Sequence, residues 1–123
     1  MARILIVDDD AQIRYITRII LERAGHDVTE AVNGSAALDA VRHQVPDVVI
    51  TDLVMPVMGG EQLIASLKSG AATPPPKIIV VSAYRGGDTG ADAWVDKPFH
   101  PNRLVDAVQR LLTHHVDTPQ PSQ

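Results

Sequence analysis

Short apolar runs stopped by charge alternate along the chain with longer stretches in which apolar residues recur every three or four positions. Ile4-Leu5-Ile6-Val7 is continuous and β-branched, the reading of a strand buried on both faces. After Asp8-Asp9-Asp10, Ile13, Ile16, Ile20, Leu21 and Ala24 fall at helical spacing, and Gly25 supplies a C-terminal cap. Val28-Thr29-Glu30-Ala31 predicts a second, weaker strand with Asn33-Gly34 as its turn. Ala36, Ala37, Leu38, Ala40 and Val41 predict a second helix, which Pro46 keeps from continuing. Val48-Val49-Ile50-Thr51 is a third strand with Asp52 at its carboxyl end. A loop over 53–60 holds Pro56, Gly59 and Gly60, and a third helix is expected over 61–68. Pro74-Pro75-Pro76 leads stiffly into a fourth strand over 78–81, and a shorter fifth strand falls near 93–95. Pro101 opens a last helix through Leu104, Val105, Val108, Leu111 and Leu112.

Strands alternating with helices predict an α/β fold built on one parallel sheet with right-handed crossovers. For five strands the expected order is 2-1-3-4-5, with ligands at the carboxyl ends of the strands where the winding reverses between the first and the third. One crossover does not fit. Only about ten residues separate the fourth strand from the fifth, where a helical crossover takes a dozen or more. That stretch contains Gly86, Gly87 and Gly90, each poor for helix. A loop is therefore expected in place of the fourth helix.

Composition narrows the class. At 123 residues, 45% hydrophobic and 21% charged, the chain has the profile of one globular domain, drawn here as 1–116 with a polar, proline-bearing, disordered tail over 117–123. A net charge of −4 gives no reason to expect direct DNA binding or attachment to an anionic membrane. Cysteine is absent, which removes disulfides and thiolate metal sites and agrees with a cytoplasmic location. Met1-Ala2-Arg3 does not read as a signal peptide, and no apolar run approaches bilayer length.

The expected topology brings Asp8, Asp9 and Asp52 to one mouth, with Ser82 and Lys97 at its rim. Taken singly, each has a plainer reading. An aspartate run after a strand often caps the next helix, a part assigned here to Asp10, and Asp52 could merely form a turn. Ser82 could be a strand-end hydroxyl and Lys97 a solvated cation. Together, three converging carboxylates repel one another unless a cation resolves the conflict. Mg²⁺, or Mn²⁺ in its place, suits one or two carboxylates plus waters and a phosphate oxygen. With Lys97 to meet a phosphoryl group and Ser82 to donate a hydrogen bond, the set is complete for phosphoryl transfer. The five histidines, His26, His43, His100, His114 and His115, have no metal-ligand spacing and read as surface residues.

The runs I-L-I-V-D-D-D, V-V-I-T-D-L-V-M-P-V-M-G-G, I-I-V-V-S-A and W-V-D-K-P-F resemble the successive signature segments of two-component response-regulator receiver domains. The resemblance implies the flavodoxin-like, CheY-like doubly wound fold and a phosphoacceptor switch rather than a conventional enzyme. It implies Asp52 as phosphoacceptor, Asp8 and Asp9 as the acidic metal pair, and the backbone carbonyl of Val54 as a further ligand. Ser82 would move toward the phosphoryl oxygen, Lys97 would pair with it, Ala83 would leave the donor room, and the Lys97–Pro98 peptide would be cis. The phosphoryl donor would be a sensor histidine kinase or a histidine phosphotransfer protein, and the downstream partner is unnamed.

Two departures stand out. S-A-Y-R-G-G is similar to the variant motif of atypical single-domain receivers, implying a loop over 84–92 that orders on phosphorylation. The switch aromatic of the family's fifth strand is Trp94 here, with Tyr84 as its rival and a space-filling indole as the plainer reading. No output domain fits after the last helix, so a stand-alone receiver, or one cut from a longer protein, is expected. Two other classes compete: a phosphorylation-independent receiver-like binding module, and a phosphohydrolase of the haloacid dehalogenase type using Asp8. Gln12, standing where the second class wants threonine or valine, argues against it.

Overall fold

The computed structural model describes residues 2–55, 57–71, 74–83 and 90–114. Within them the chain runs β1 (Arg3–Val7), α1 (Ala11–Arg23), β2 (Asp27–Ala31), α2 (Gly34–His43), β3 (Val48–Thr51), α3 (Gly60–Ser66), β4 (Lys77–Ser82), β5 (Ala93–Asp96) and α4 (Pro101–His114). All five strands are parallel in the order β2-β1-β3-β4-β5, as expected. Among the described residues no helix is long and apolar enough to cross a membrane.

Strand parity divides the core in two, because successive side chains leave a strand on opposite faces. Leu5, Val7, Val49, Ile78 and Val80 face α2 and α3, meeting Ala37, Leu38, Val41, Leu63 and Ile64. Ile4, Ile6, Val48, Ile50, Ile79, Val81 and Val95 face the other way, meeting Leu21 of α1 and Leu104, Ala107 and Val108 of α4. This double burial is why the strands read as unbroken apolar runs.

Local signals set the boundaries. Asp10 caps α1, its side chain accepting from the backbone N–H groups of Gln12 and Ile13. Gly25, at φ 96°, closes the helix with paired bonds from its own N–H to the Glu22 carbonyl and from the His26 N–H to the Leu21 carbonyl. Asn33-Gly34 is not the turn of β2 that its composition suggests. Asn33 is the N-cap of α2, accepting from the Ala36 N–H at 2.8 Å, and Gly34 already belongs to the helix. Turn and cap draw on the same residue types, so the dipeptide alone does not separate them. His26 is likewise more than a surface residue: it is half-buried, its Nδ1 accepts from the Ala2 N–H at 3.2 Å, and its Nε2 is buried without a hydrogen-bond partner. Burial, followed by the nearby terminal amine, holds its pKa below the usual imidazole value.

Beyond Ser66 the third helix widens into a π-type turn, Leu67–Ala71, which Gly70 ends at φ 117°. Between β4 and β5 the described residues 83 and 90–92 carry no helix, in keeping with the short crossover. Leu67 joins the cluster over Ile78 and Val80, while Ala91 and a half-buried Trp94 pack against it. Among the described residues, the extended α3 and the indole both pack on this sheet face. Tyr84, the rest of the crossover, His115 and the tail over 117–123 lie outside the described residues.

Two aspartates fix strand register by one device. Asp47 gives its N–H to the Arg3 carbonyl and accepts the Arg3 N–H on Oδ2, just before β3. Asp92 does the same with Ile78, at 2.8 and 2.7 Å, just before β5. Asp92→Ala strips the acceptor from a fully buried residue's N–H, so it is expected to cost about 1–2 kcal/mol, read as a lower urea midpoint at unchanged slope.

Candidate functional site

β1 and β3 are neighbours in register, Val7 opposite Thr51, so the next residue of each, Asp8 and Asp52, leave the sheet side by side. The Asp52 N–H still donates to the Val7 carbonyl at 3.2 Å. Lys97 arrives from farther off. It follows Asp96, which pairs with Ser82 of β4, so its side chain must cross β4 to reach β3, roughly 10 Å at ordinary strand spacing. Only a long side chain manages that. Its Nζ donates to Asp52 Oδ2 at 2.9 Å and to Asp8 Oδ2 at 3.2 Å. The Lys97–Pro98 peptide is cis, as expected.

The remaining carboxylate oxygens are turned to backbone N–H groups. Asp52 Oδ1 accepts from Leu53 at 2.7 Å, with Val54 at 3.4 Å, and Asp8 Oδ1 accepts from Asp10 at 2.9 Å. Burial raises the Asp8 pKa, against the Asp10 N–H and the Lys97 ammonium, which lower it. Burial also works to lower the Lys97 pKa, but the hydrogen bond to Asp52 and the charges of Asp8 and Asp52 outweigh it and the net shift is upward. The two carboxylates together favour the charged ammonium of Lys97.

Of the residues singled out from the sequence, Asp8, Asp52 and Lys97 are brought into one contact. Ser82 ends β4, 2% exposed, its carbonyl accepting from the Lys97 N–H at 3.1 Å. Ser82 is therefore buried behind the mouth rather than open at its rim. Asp9 is exposed, and Val54, two residues after Asp52, is 71% exposed. Among the described residues no three or more acidic or histidine side chains are grouped so as to hold a metal ion. The converging pair, Asp8 and Asp52, nevertheless already shares one cation. Two hard carboxylates at a solvent-facing edge, rather than an all-protein cage, are what Mg²⁺ accepts when it keeps several waters.

Two features here were not legible in advance. Gly60 packs so closely on Asp52 that a Cβ would collide with the Asp52 carbonyl oxygen. Val57, 81% exposed, holds φ 71°, a left-handed conformation that β-branched residues rarely adopt and that stores strain in the loop beside Asp52.

The family model described as the response regulator receiver domain matches residues 4–109. The DNA-binding response regulator MtrA of Mycobacterium tuberculosis is 36% identical over 121 residues, covering 95% of this chain and 53% of that protein. The phosphate regulon regulatory protein PhoB of Klebsiella pneumoniae is 32% identical over 117 residues, 89% of this chain and 51% of that protein. The chain thus spans about half the length of these relatives. Among solved structures, the chemotaxis protein CheY4 of Vibrio cholerae superposes with TM-score 0.84 at 30% identity, covering 90% of this chain and 98% of that one. The response regulator TrrA of Thermotoga maritima, solved in complex with Mg²⁺-BeF, gives 0.83 at 32%, covering 90% and 99%. The chain belongs to the response-regulator receiver-domain family of two-component systems, whose members are phosphoacceptor switches rather than conventional enzymes.

Gly60→Ala forces a methyl group into the backbone of the acceptor strand, and a stability loss of about 2 kcal/mol or more is expected by urea titration.

Proposed function

We propose that Asp52 accepts a phosphoryl group from the phosphohistidine of a sensor histidine kinase or histidine phosphotransfer protein, in a site that Mg²⁺ completes. The observation that carries this reading is the shared contact of Asp8, Asp52 and Lys97 at the β1/β3 switch point. Asp8, Asp9 and Asp52 would hold the metal, with the Val54 carbonyl as a further ligand. Bound there, Mg²⁺ supplies positive charge to the transferring oxygens.

The protein's own groups do the rest. Asp52 Oδ2 attacks phosphorus as the bond to the donor imidazole nitrogen breaks. Lys97, tethered by its long stem, exchanges its carboxylate partner for a phosphoryl oxygen and stays within reach of Asp8. The Ser82 hydroxyl, at the end of the adjacent strand, donates to the same group and carries its arrival into β4. The backbone N–H groups of Leu53 and Val54 hold Asp52 Oδ1, which orients the attacking oxygen. Water later hydrolyses the acyl phosphate.

Next to Lys97 lies an apolar hollow of about 370 Å³ lined by Ile13, Ile16 and Ile20 of α1 with Pro98 and Phe99. Ile16 is 52% exposed there. This supports docking of the donor protein across α1, in place to present its phosphohistidine.

Intact-mass measurement after acetyl phosphate and Mg²⁺ should show one phosphoryl adduct on the wild type and none on Asp52→Asn. An unmodified wild type would overturn the proposal in favour of a binding module that works without phosphate, and an adduct lost with Asp8→Asn alone would point to the phosphohydrolase alternative. Ile16→Asp should slow transfer from a phosphorylated donor protein by about tenfold while leaving acetyl phosphate as effective as before, since it removes apolar contact far larger than a methylene.

A further inference from the structure

We infer that Arg14 is a positioning residue for the cation site, holding the backbone carbonyl of Asp8 and so fixing the turn that presents the acidic side chains. The inference rests on the proposed function and deepens it. Asp8 is 4% exposed, so both of its backbone polar groups need partners. Its N–H donates to the Ala31 carbonyl at 3.2 Å. The β1–β2 ladder ends at Val7 and Ala31, and no further strand pair follows to satisfy the Asp8 carbonyl. Arg14 Nη1 donates to that carbonyl at 2.8 Å.

Arg14 is itself held. Its Nε donates to Glu30 Oε1 on β2 at 2.9 Å, and Arg18 Nη1 grips Glu30 Oε2 at 2.8 Å. The Arg14 side chain is only 15% exposed, unusual for an arginine and a sign that the fork is packed rather than waving in solvent. The same helix turn returns to the acidic segment through its backbone, the Arg14 N–H donating to the Asp10 carbonyl at 3.0 Å. The Asp8–Asp10 turn is therefore closed from both ends, by the Asp10 N–H on the Asp8 carboxylate and by one arginine on the Asp8 carbonyl. A purely electrostatic role for Arg14 would act in the opposite sense, because a positive charge beside the turn repels a divalent cation. The two roles predict effects of opposite sign.

Calorimetric titration of the full chain with Mg²⁺ at constant ionic strength separates them. Arg14→Met should weaken Mg²⁺ binding by about tenfold or more, the usual effect of losing a group that orients a metal ligand, although it removes a repelling charge. Arg14→Lys, which keeps the charge but not the planar fork, should weaken it in the same direction. Arg23→Met, which removes an exposed charge from the last turn of the same helix, away from both the Asp8 carbonyl and Glu30, should change it by no more than about twofold. In metal-free protein, Arg14→Met should also speed amide exchange at the Asp10 N–H. Mg²⁺ binding as tight as wild type, or tighter, in Arg14→Met would overturn the inference. Should that variant fail to fold, Glu30→Gln gives the milder test, with a smaller loss in the same direction expected and no loss counting against it. A wild type that takes up no Mg²⁺ overturns the underlying reading instead, and the metal-free exchange measurement then decides whether Arg14 holds the turn.

Discussion

One lysine between two part-buried carboxylates governs the arrangement. Asp8 and Asp52 are set side by side by strand register, so the sheet that builds the site also builds a repulsion into it. Lys97 relieves that repulsion from two strands away. Lys97 carries its ammonium on a long flexible stem, so the cation can change partner without rearranging the core. The resting state thus already carries the charge balance that an incoming anion and a divalent metal would reset.

How much of this could be read from residues depends on whether a feature lives in a run or in a contact. The strands were legible because burial on both faces demands unbroken Val and Ile, and the order followed from their alternation with helices. Asp8 and Asp52 were legible because each stands where such a run stops. Lys97 was legible as a lysine following a short strand, but its reach across β4 is a matter of three-dimensional register. Asp9 entered as an equal partner of Asp8, and the structure brings only Asp8 into the shared contact. The Arg14 contact with the Asp8 carbonyl leaves no pattern, since arginine on an amphipathic helix ordinarily means a solvated face. Asn33, read as a turn, caps a helix by the same hydrogen-bonding habit. His26 lost its surface reading to a neighbour 24 residues away.

The short crossover leaves one sheet face with particular needs. Ile78 and Val80 need cover on the α2/α3 side, and both are fully buried. Among the described residues, Leu67 on the widened end of α3 belongs to that cluster, and Ala91 and the Trp94 indole pack against it. A Trp94 committed to that packing has less freedom to swing than a smaller ring at the same place, which favours the space-filling role over the switch role for this residue.

The bond from Lys97 to Asp8 joins positions 89 residues apart. Contacts of such long range form late, because the loop they close must first be organised. During synthesis the acidic pair is complete once β3 has emerged, yet its counter-charge arrives only with the residue after β5. A chain released early, or one whose last strand has peeled away, therefore carries Asp8 and Asp52 without the group that balances them. The charge balance of the acidic pair is in this way tied to completion of the whole sheet.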